Sequence, residues 1–477
     1  MTIDNIDVTA TLERVKKLLA SDKDIPDSTR SLMEVLVLII TLMANRMGLN
    51  SNNSSKPPSS DPNRKKTRRK KTGRKPGGQK GHPGNKLEKV DNPDRVEVLK
   101  VDRRSLPKGD YKEIGFDTRQ VFDIQISRVV TEYQAQVLEN EKGERFVAEF
   151  PKGVTKATQY GAGVKAHAVY LSQFQLLPYD RITDYFADQL GFPLSAGSLY
   201  NFNQRAYAAL ESFESLAKHR LVEAELAHAD ETGVNVNGDR LWLHCCSNEL
   251  WTFLFPHKKR GCEAMDEIGI LPNFKGILCH DHWKPYYRYE CLHSLCNAHH
   301  IRELTCAFEQ DEQQWAKNMM NLLEEINKKT VESDGVLSKH MQQKYRREYR
   351  AIISEAEEEC PPPKKKKIKG RRGRIKKSKS RNLLERMRDF EDDVLRFMTI
   401  EVVPFTNNLG EQDIRMTKVQ QKISGCFRSI DGAKFFCRIR SYLSTCRKHG
   451  ITPTTALELL FQGKLPDFDS HSMLPAE

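Results

Sequence analysis

The chain has 477 residues, of which 38% are hydrophobic and 30% charged, and its formal net charge is +13. Its length exceeds one ordinary core and argues for about three domains. Its 11 cysteines all lie at or beyond Cys245, a distribution that excludes a secreted disulfide scaffold and suits a reduced, cytoplasmic setting. Two runs hold the positive charge: Lys56–Lys89 is net +11 and Lys364–Arg381 net +12, so the remaining residues carry −10. Basic runs on an otherwise acidic protein select a polyanionic partner, most simply nucleic acid, over a pair of merely solvated tails.

Residues 1–50 read as helical and capable of self-association. "TATLERVKKLLA" is amphipathic, and Pro26 separates it from a second helix. The apolar run there, Val35–Ala44, is far shorter than the ~20 residues of a membrane span, so no membrane partner is expected. Residues 51–94 read as a disordered basic linker. It is rich in Asn, Ser and Pro at first and then runs through "RKKTRRKKTGRKPGGQKGHPG". Lys65, Lys66, Arg68, Arg69, Lys70, Lys71, Arg74 and Lys75 are candidates for sequence-independent phosphate contact. Residues 95–152 alternate apolar and polar in four segments, which predicts a small β module.

Residues 153–222 predict a helix–turn–helix region. Ile182, Tyr185, Phe186 and Leu190 recur at helical spacing, Gly191 ends the first helix, and Ser195 can cap the second. Early residues of that second helix, Ser198, Tyr200 and Asn201, are candidates for DNA contact; a plain packing unit is the alternative. Residues 223–308 predict three consecutive antiparallel strands, a helix and a further strand, the start of an α/β layer. Residues 309–395 read as a helical and basic insertion. The α/β layer resumes over 396–449, and 450–477 is left as a C-terminal tail.

Asp230 in "ADETG" and Asp281 in "HDHW" fall on the first and fourth strands of this layer. Either alone is ordinary turn chemistry. Side by side at one sheet edge they would repel unless cations sat between them. Hard divalent ions such as Mg²⁺ take such oxygen ligands, and two of them about 4 Å apart serve in-line phosphoryl transfer. Glu411 in "VPFTNNLGEQDIRMTK" is the candidate third carboxylate; the competing reading makes it the capping-box partner of an Asn408 N-cap. Cys296-x-x-His299 within "CLHSLCNAHH" has metal-ligand spacing, but packing beside the site is the expectation and zinc is not expected. Trp283 is a candidate for stacking on a base or for the rim of the core.

These segments, together with "NSSKPPSSD", "GRKPGGQKGHPG", "LCNAHHIREL" and "KVQQKISGCFRS…IRSYLST", resemble the transposases of insertion sequence sixty-six, TnpC type. The resemblance covers most of the chain in the same order. It implies a multidomain α+β protein with a ribonuclease-H-like core and an Asp-Asp-Glu triad, here Asp230, Asp281 and Glu411. It also implies two Mg²⁺ (or Mn²⁺) ions, cleavage of element-end DNA and strand transfer into a target. Arg302 and Arg415 would lie near DNA. A homo-oligomer on DNA, small accessory transposition proteins and a nucleoid-associated location follow from the same resemblance. Three departures mark this chain: residues 95–152 hold no cysteine for the zinc module usual there, Gly410 replaces an Ala, and Gln412 replaces an Arg. Glycine in a helix costs about 1 kcal/mol. A decayed copy that only binds DNA, and a metal-dependent nuclease without strand transfer, are the alternative functions.

Overall fold

The computed structural model describes residues 2–3, 6–22, 24–47, 49–50, 53–54, 87–363 and 377–468. The eight candidate phosphate-binding residues from Lys65 to Lys75, and most of the second basic run, lie outside the described residues. Helices α1 (Val8–Ser21) and α2 (Asp27–Met47) pack on each other through Leu19 and Val37. The other face of α2, including Leu32, Leu38 and Leu42, is exposed. No helix among the described residues is long and apolar enough to cross a membrane.

The alternating segments of residues 95–152 form less sheet than their pattern predicts. Only Val137–Glu139 and Arg145–Val147 pair, as one antiparallel hairpin. Val96, Ile114, Val121 and Ile124 are exposed. Alternation yields a stable sheet only when a second layer covers the apolar face, and none does here.

Residues 162–222 form four helices: α3 (Ala162–Val169), α4 (Tyr179–Leu190), α5 (Ala196–Ala209) and α6 (Glu211–Val222). The turn between α4 and α5 follows its sequence signals. Gly191 ends α4 in the left-handed region at φ 67°, and Ser195 Oγ accepts the Ser198 amide proton. Ile182, Phe186, Leu199 and Phe202 are buried in a core shared with the sheet.

That sheet has five strands: β1 (Leu226–Val236), β2 (Asp239–Ser247), β3 (Thr252–His257), β4 (Ile277–His280) and β5 (Leu292–Leu295). Their spatial order is β3-β2-β1-β4-β5. The first three are antiparallel, while β4 and β5 run parallel to β1. Helix α7 (Cys262–Ile268) lies in the crossover that makes β4 parallel. After β5 come α8 (Asn297–Asp311) and the inserted helices α9 (Gln314–Glu332), α10 (Lys339–Glu359), α11 (Lys379–Asp389) and α12 (Glu391–Leu395). The insertion has its own core around Trp315, Met319, Tyr345, Tyr349 and Met387.

The chain then returns to the sheet as α13 (Asn408–Ser424) and α14 (Ile430–Lys448), which cover β1–β3. Residues 450–468, the first part of the C-terminal tail, pack on the helices. They include α15 (Pro453–Phe461), capped by Thr452, with Ala456, Leu457 and Leu460 buried against α3. Phe468 packs its ring at a tilt against Phe213 and Trp251.

Candidate functional site

Asp230 lies on β1 opposite Cys245 of β2, two residues past the last pairing of β1 with β4 at His228. Its Oδ1 accepts the Glu231 amide proton at 2.9 Å. Asp281 immediately follows β4, and its Oδ1 accepts the Trp283 amide proton at 3.0 Å. Because β1 and β4 are parallel neighbours, their carboxyl ends emerge on the same side, which places both aspartates at one edge.

Glu411 comes from the first turn of α13, and the helix start differs by one residue from the sequence reading. Asn407, not Asn408, is the N-cap, and its side chain makes no capping bond. Asn407 is instead buried and turned toward the sheet. Its Nδ2 donates to Ala229 O at 2.9 Å, its Oδ1 lies 2.7 Å from His228 Nδ1, and its backbone N–H donates to Cys296 Sγ. With the cap at 407, the capping-box position is Gly410, so Glu411 is not a capping partner. A Cβ at Gly410 would lie 3.2 Å from Asn407 Oδ1 and 3.4 Å from His228 Cβ. Glycine therefore lets α13 approach β1 closely. Asp413 fastens the same turn from the other side, accepting from Lys448 Nζ at 2.8 Å and from the Thr252 hydroxyl at 3.2 Å.

The electrostatics tie the three acids together. Burial pushes the Asp230 carboxyl well above its usual range, and the charges of Glu231, Asp281 and Glu411 push it the same way. The three do not close into one tight cluster. Among the described residues the set of three donor atoms within 4.8 Å of one another is Cys296, His299 and Glu411. Glu411 Oε1 leans toward His299 Nδ1 and Arg302 Nη2, each 3.7 Å away. Like charges separate and a nearby cation draws the carboxylate over, which accounts for the direction. At 3.7 Å neither contact is a hydrogen bond, and Glu411 Oε1 and His299 Nδ1 are both buried without a partner. Burial and Arg302 depress the pKa of His299, with Glu411 opposing them.

The "CLHSLCNAHH" stretch divides by neighbour. His293 Nδ1 meets His280 Nε2 at 3.1 Å, and Cys291 lies behind it. His300 is buried with Nδ1 3.0 Å from Asn297 Oδ1. Cys296 and His299 face Glu411. Arg302 also donates to Ala298 O, and Arg415 is exposed one turn beyond Glu411. Ser198 is bound to the Ser195 cap, Asn201 is exposed, and Tyr200 rests on Phe435 at 5.4 Å. Trp283 packs on the Arg260 guanidinium at 4.4 Å and edge-on to Tyr286.

Several residues that shape the site had no signal in the sequence. The Glu231 carboxylate is buried between the Tyr286 hydroxyl, which donates at 2.6 Å, and Arg260, which donates at 2.9 Å and 2.5 Å. Burial raises its pKa and these donors oppose the rise. Its place beside Asp230 was visible, but nothing near Arg260 or Tyr286 pointed to it. His228 and Asn407 lie 179 positions apart and carry no motif of their own.

Asp230 and Asp281 offer the carboxylate oxygens that a hard divalent cation takes, whereas the donors already gathered at Glu411 are a thiol, an imidazole and a carboxylate. Comparison with known families gives an independent result. Residues 157–435 match the family described as Transposase IS66 family, which spans the sheet, all three acids and the insertion. Residues 13–88 match a family of unknown function. No curated protein matches the chain.

Proposed function

Since the chain belongs to the IS66 family of transposases, and so to enzymes that act on DNA, we propose that it cuts insertion-sequence ends and joins them to target DNA through Asp230, Asp281 and Glu411. The observation that carries this reading is the placement of Asp230 and Asp281 where the neighbouring parallel strands β1 and β4 part, within the residues that the family match spans. We read the sheet as ribonuclease-H-like, on the strength of three antiparallel strands followed by two parallel ones with the central strand bearing the first acid.

In this reading Asp230, Asp281 and Glu411 hold two Mg²⁺ or Mn²⁺ ions. The ions would supply charge neutralisation at the scissile phosphate and lower the pKa of an attacking oxygen. The chain's own groups do the positioning. One oxygen of each aspartate is fixed by a backbone N–H, which leaves the other to bind a cation. Asn407 anchors the start of α13 on β1, which sets where Glu411 projects. Arg302, beside Glu411, is placed to meet a phosphate oxygen. The basic runs and the α4–α5 unit, with Ser198 and Asn201 on its second helix, would hold the DNA. The exposed apolar face of α2 would join two copies on it.

The test is Mg²⁺-dependent nicking and joining of element-end DNA. Wild type is expected to do both and Asp281→Ala neither. Equal nicking by the two would overturn the assignment. Binding without cleavage at any Mg²⁺ concentration would support the decayed copy, and nicking without joining the plain nuclease.

A further inference from the structure

Beyond His228, β1 has lost its β4 neighbour, and its edge is next met at Val236 by Phe427. A groove of about 610 Å³ follows the β1–β2 hairpin along this stretch. Its lining includes Glu231, Gly233, Arg240, Trp242, Arg260 and Lys418. Glu231 follows Asp230 directly on β1, with the two side chains on opposite faces, so the groove lies across the β1 edge from Asp230.

Two cations in it converge on one glycine. Arg240, opposite Asn235 on β2, stacks its guanidinium on Trp242 at 4.6 Å and crosses β1 at Gly233. A Cβ at Gly233 would sit 2.9 Å from Arg240 Nε, so any larger residue there would push the Arg240 side chain aside. Lys418, from α13, donates to Gly233 O at 2.7 Å. Neither Arg240 nor Lys418 has a carboxylate partner among the described residues, whereas Arg260 is paired with Glu231. Burial and the nearness of Arg240 both make Lys418 easier to deprotonate. Two like charges gathered without a counter-ion cost energy that a bound anion recovers. The groove thus mirrors the acid cluster with opposite sign.

We propose that Arg240 and Lys418 bind a non-scissile phosphate of the DNA strand that passes through the acid cluster. The proposal rests on the reading of Asp230, Asp281 and Glu411 as the cleavage site. Its register follows from the strand. Gly233 lies three positions past Asp230 on β1, about 10 Å at a strand rise of ~3.3 Å. That span is about three base-pair steps at the ~3.4 Å axial rise of a duplex. A DNA strand fits better than a free nucleotide, because the groove is an open track along the β1–β2 hairpin and offers charge and an aromatic wall rather than an enclosed base pocket.

The experiment places a single uncharged methylphosphonate at successive positions around the cleavage site of an element-end duplex. Binding by the full-length protein is measured in Ca²⁺. Wild type should lose roughly tenfold in affinity when the substituted phosphate lies two to four nucleotides from the cleaved bond. Arg240→Gln/Lys418→Gln should lose as much on unmodified DNA and nothing more from that methylphosphonate. Gly233→Ala, which crowds Arg240 but leaves Lys418 on the Gly233 carbonyl, should lose part of the affinity that the double variant loses. Lys328→Ala/Lys329→Ala removes the same charge from α9 and should leave the methylphosphonate effect intact. Additive losses in the double variant, or no sensitive position in that window, would overturn the proposal. A wild type that shows the binding pattern but never nicks in Mg²⁺ would instead refute the cleavage reading and leave the phosphate site standing.

Discussion

Asn407 joins three separate parts of the chain, and its side chain leaves its own helix uncapped to do so. It holds His228 and Ala229 of β1, while its amide meets Cys296 at the start of α8. Asn407→Ala removes two buried hydrogen bonds and leaves Ala229 O without this donor, so stability should fall by about 2–3 kcal/mol in urea unfolding. Nicking should fall further than that loss explains, because Glu411 is aimed by the same junction. Asp230 provides a second measurement at this scale. Its carboxyl is held high by burial and neighbouring acids, so a divalent ion should relieve the repulsion. Mg²⁺ at about 100 times its Kd should stabilise the wild type by about 2.7 kcal/mol, read as a rise in Tm. Glu411→Gln should show a smaller rise. An equal rise would place the ion elsewhere.

At the scale of elements, the insertion packs around a centre that also takes in Ile277 of β4 and Leu295 of β5. Trp315 is fully buried there, with its indole N–H donating to Gln313. Trp315→Ala should cost about 3–5 kcal/mol, measured by thermal unfolding. The elements also show what a sequence discloses. Asp230 and Asp281 were legible because each interrupts or ends an apolar run, and runs of that kind become strands wherever a helix can cover them. The same alternation over residues 95–135 gave no strand, because pattern alone does not supply a covering layer; Val121 and Ile124 remain in solvent. The start of α13 was misplaced by one residue because Asn407 and Asn408 are equally good caps, and only the distant His228 decides between them. Helix α15 was missed because its nine residues are too few to show a period. Arg240 and Lys418 were invisible as a pair because they meet only through Gly233.

For the molecule as a whole, buried histidines set the acid limit. Burial lowers the pKa of His228, His280 and His300, and takes His244 and His282 down to about 4. A histidine depressed by folding is held neutral, so its contribution is complete above its unfolded value of about 6.5. That contribution is lost as pH falls from there toward 4. For His244 alone the loss by pH 4 is about 3 kcal/mol. Tm should therefore drop steeply between pH 6.5 and 4, and His244→Gln should flatten that slope. The long passage between β5 and α13 has a further consequence, which concerns time. Glu411 follows Asp281 by 130 residues. At ~5–20 residues per second, a growing chain carries both aspartates for on the order of ten seconds before the glutamate is made. On the proposed reading, an unfinished chain at the ribosome would carry its first basic run but lack the third acid, so synthesis itself would delay the ability to cut.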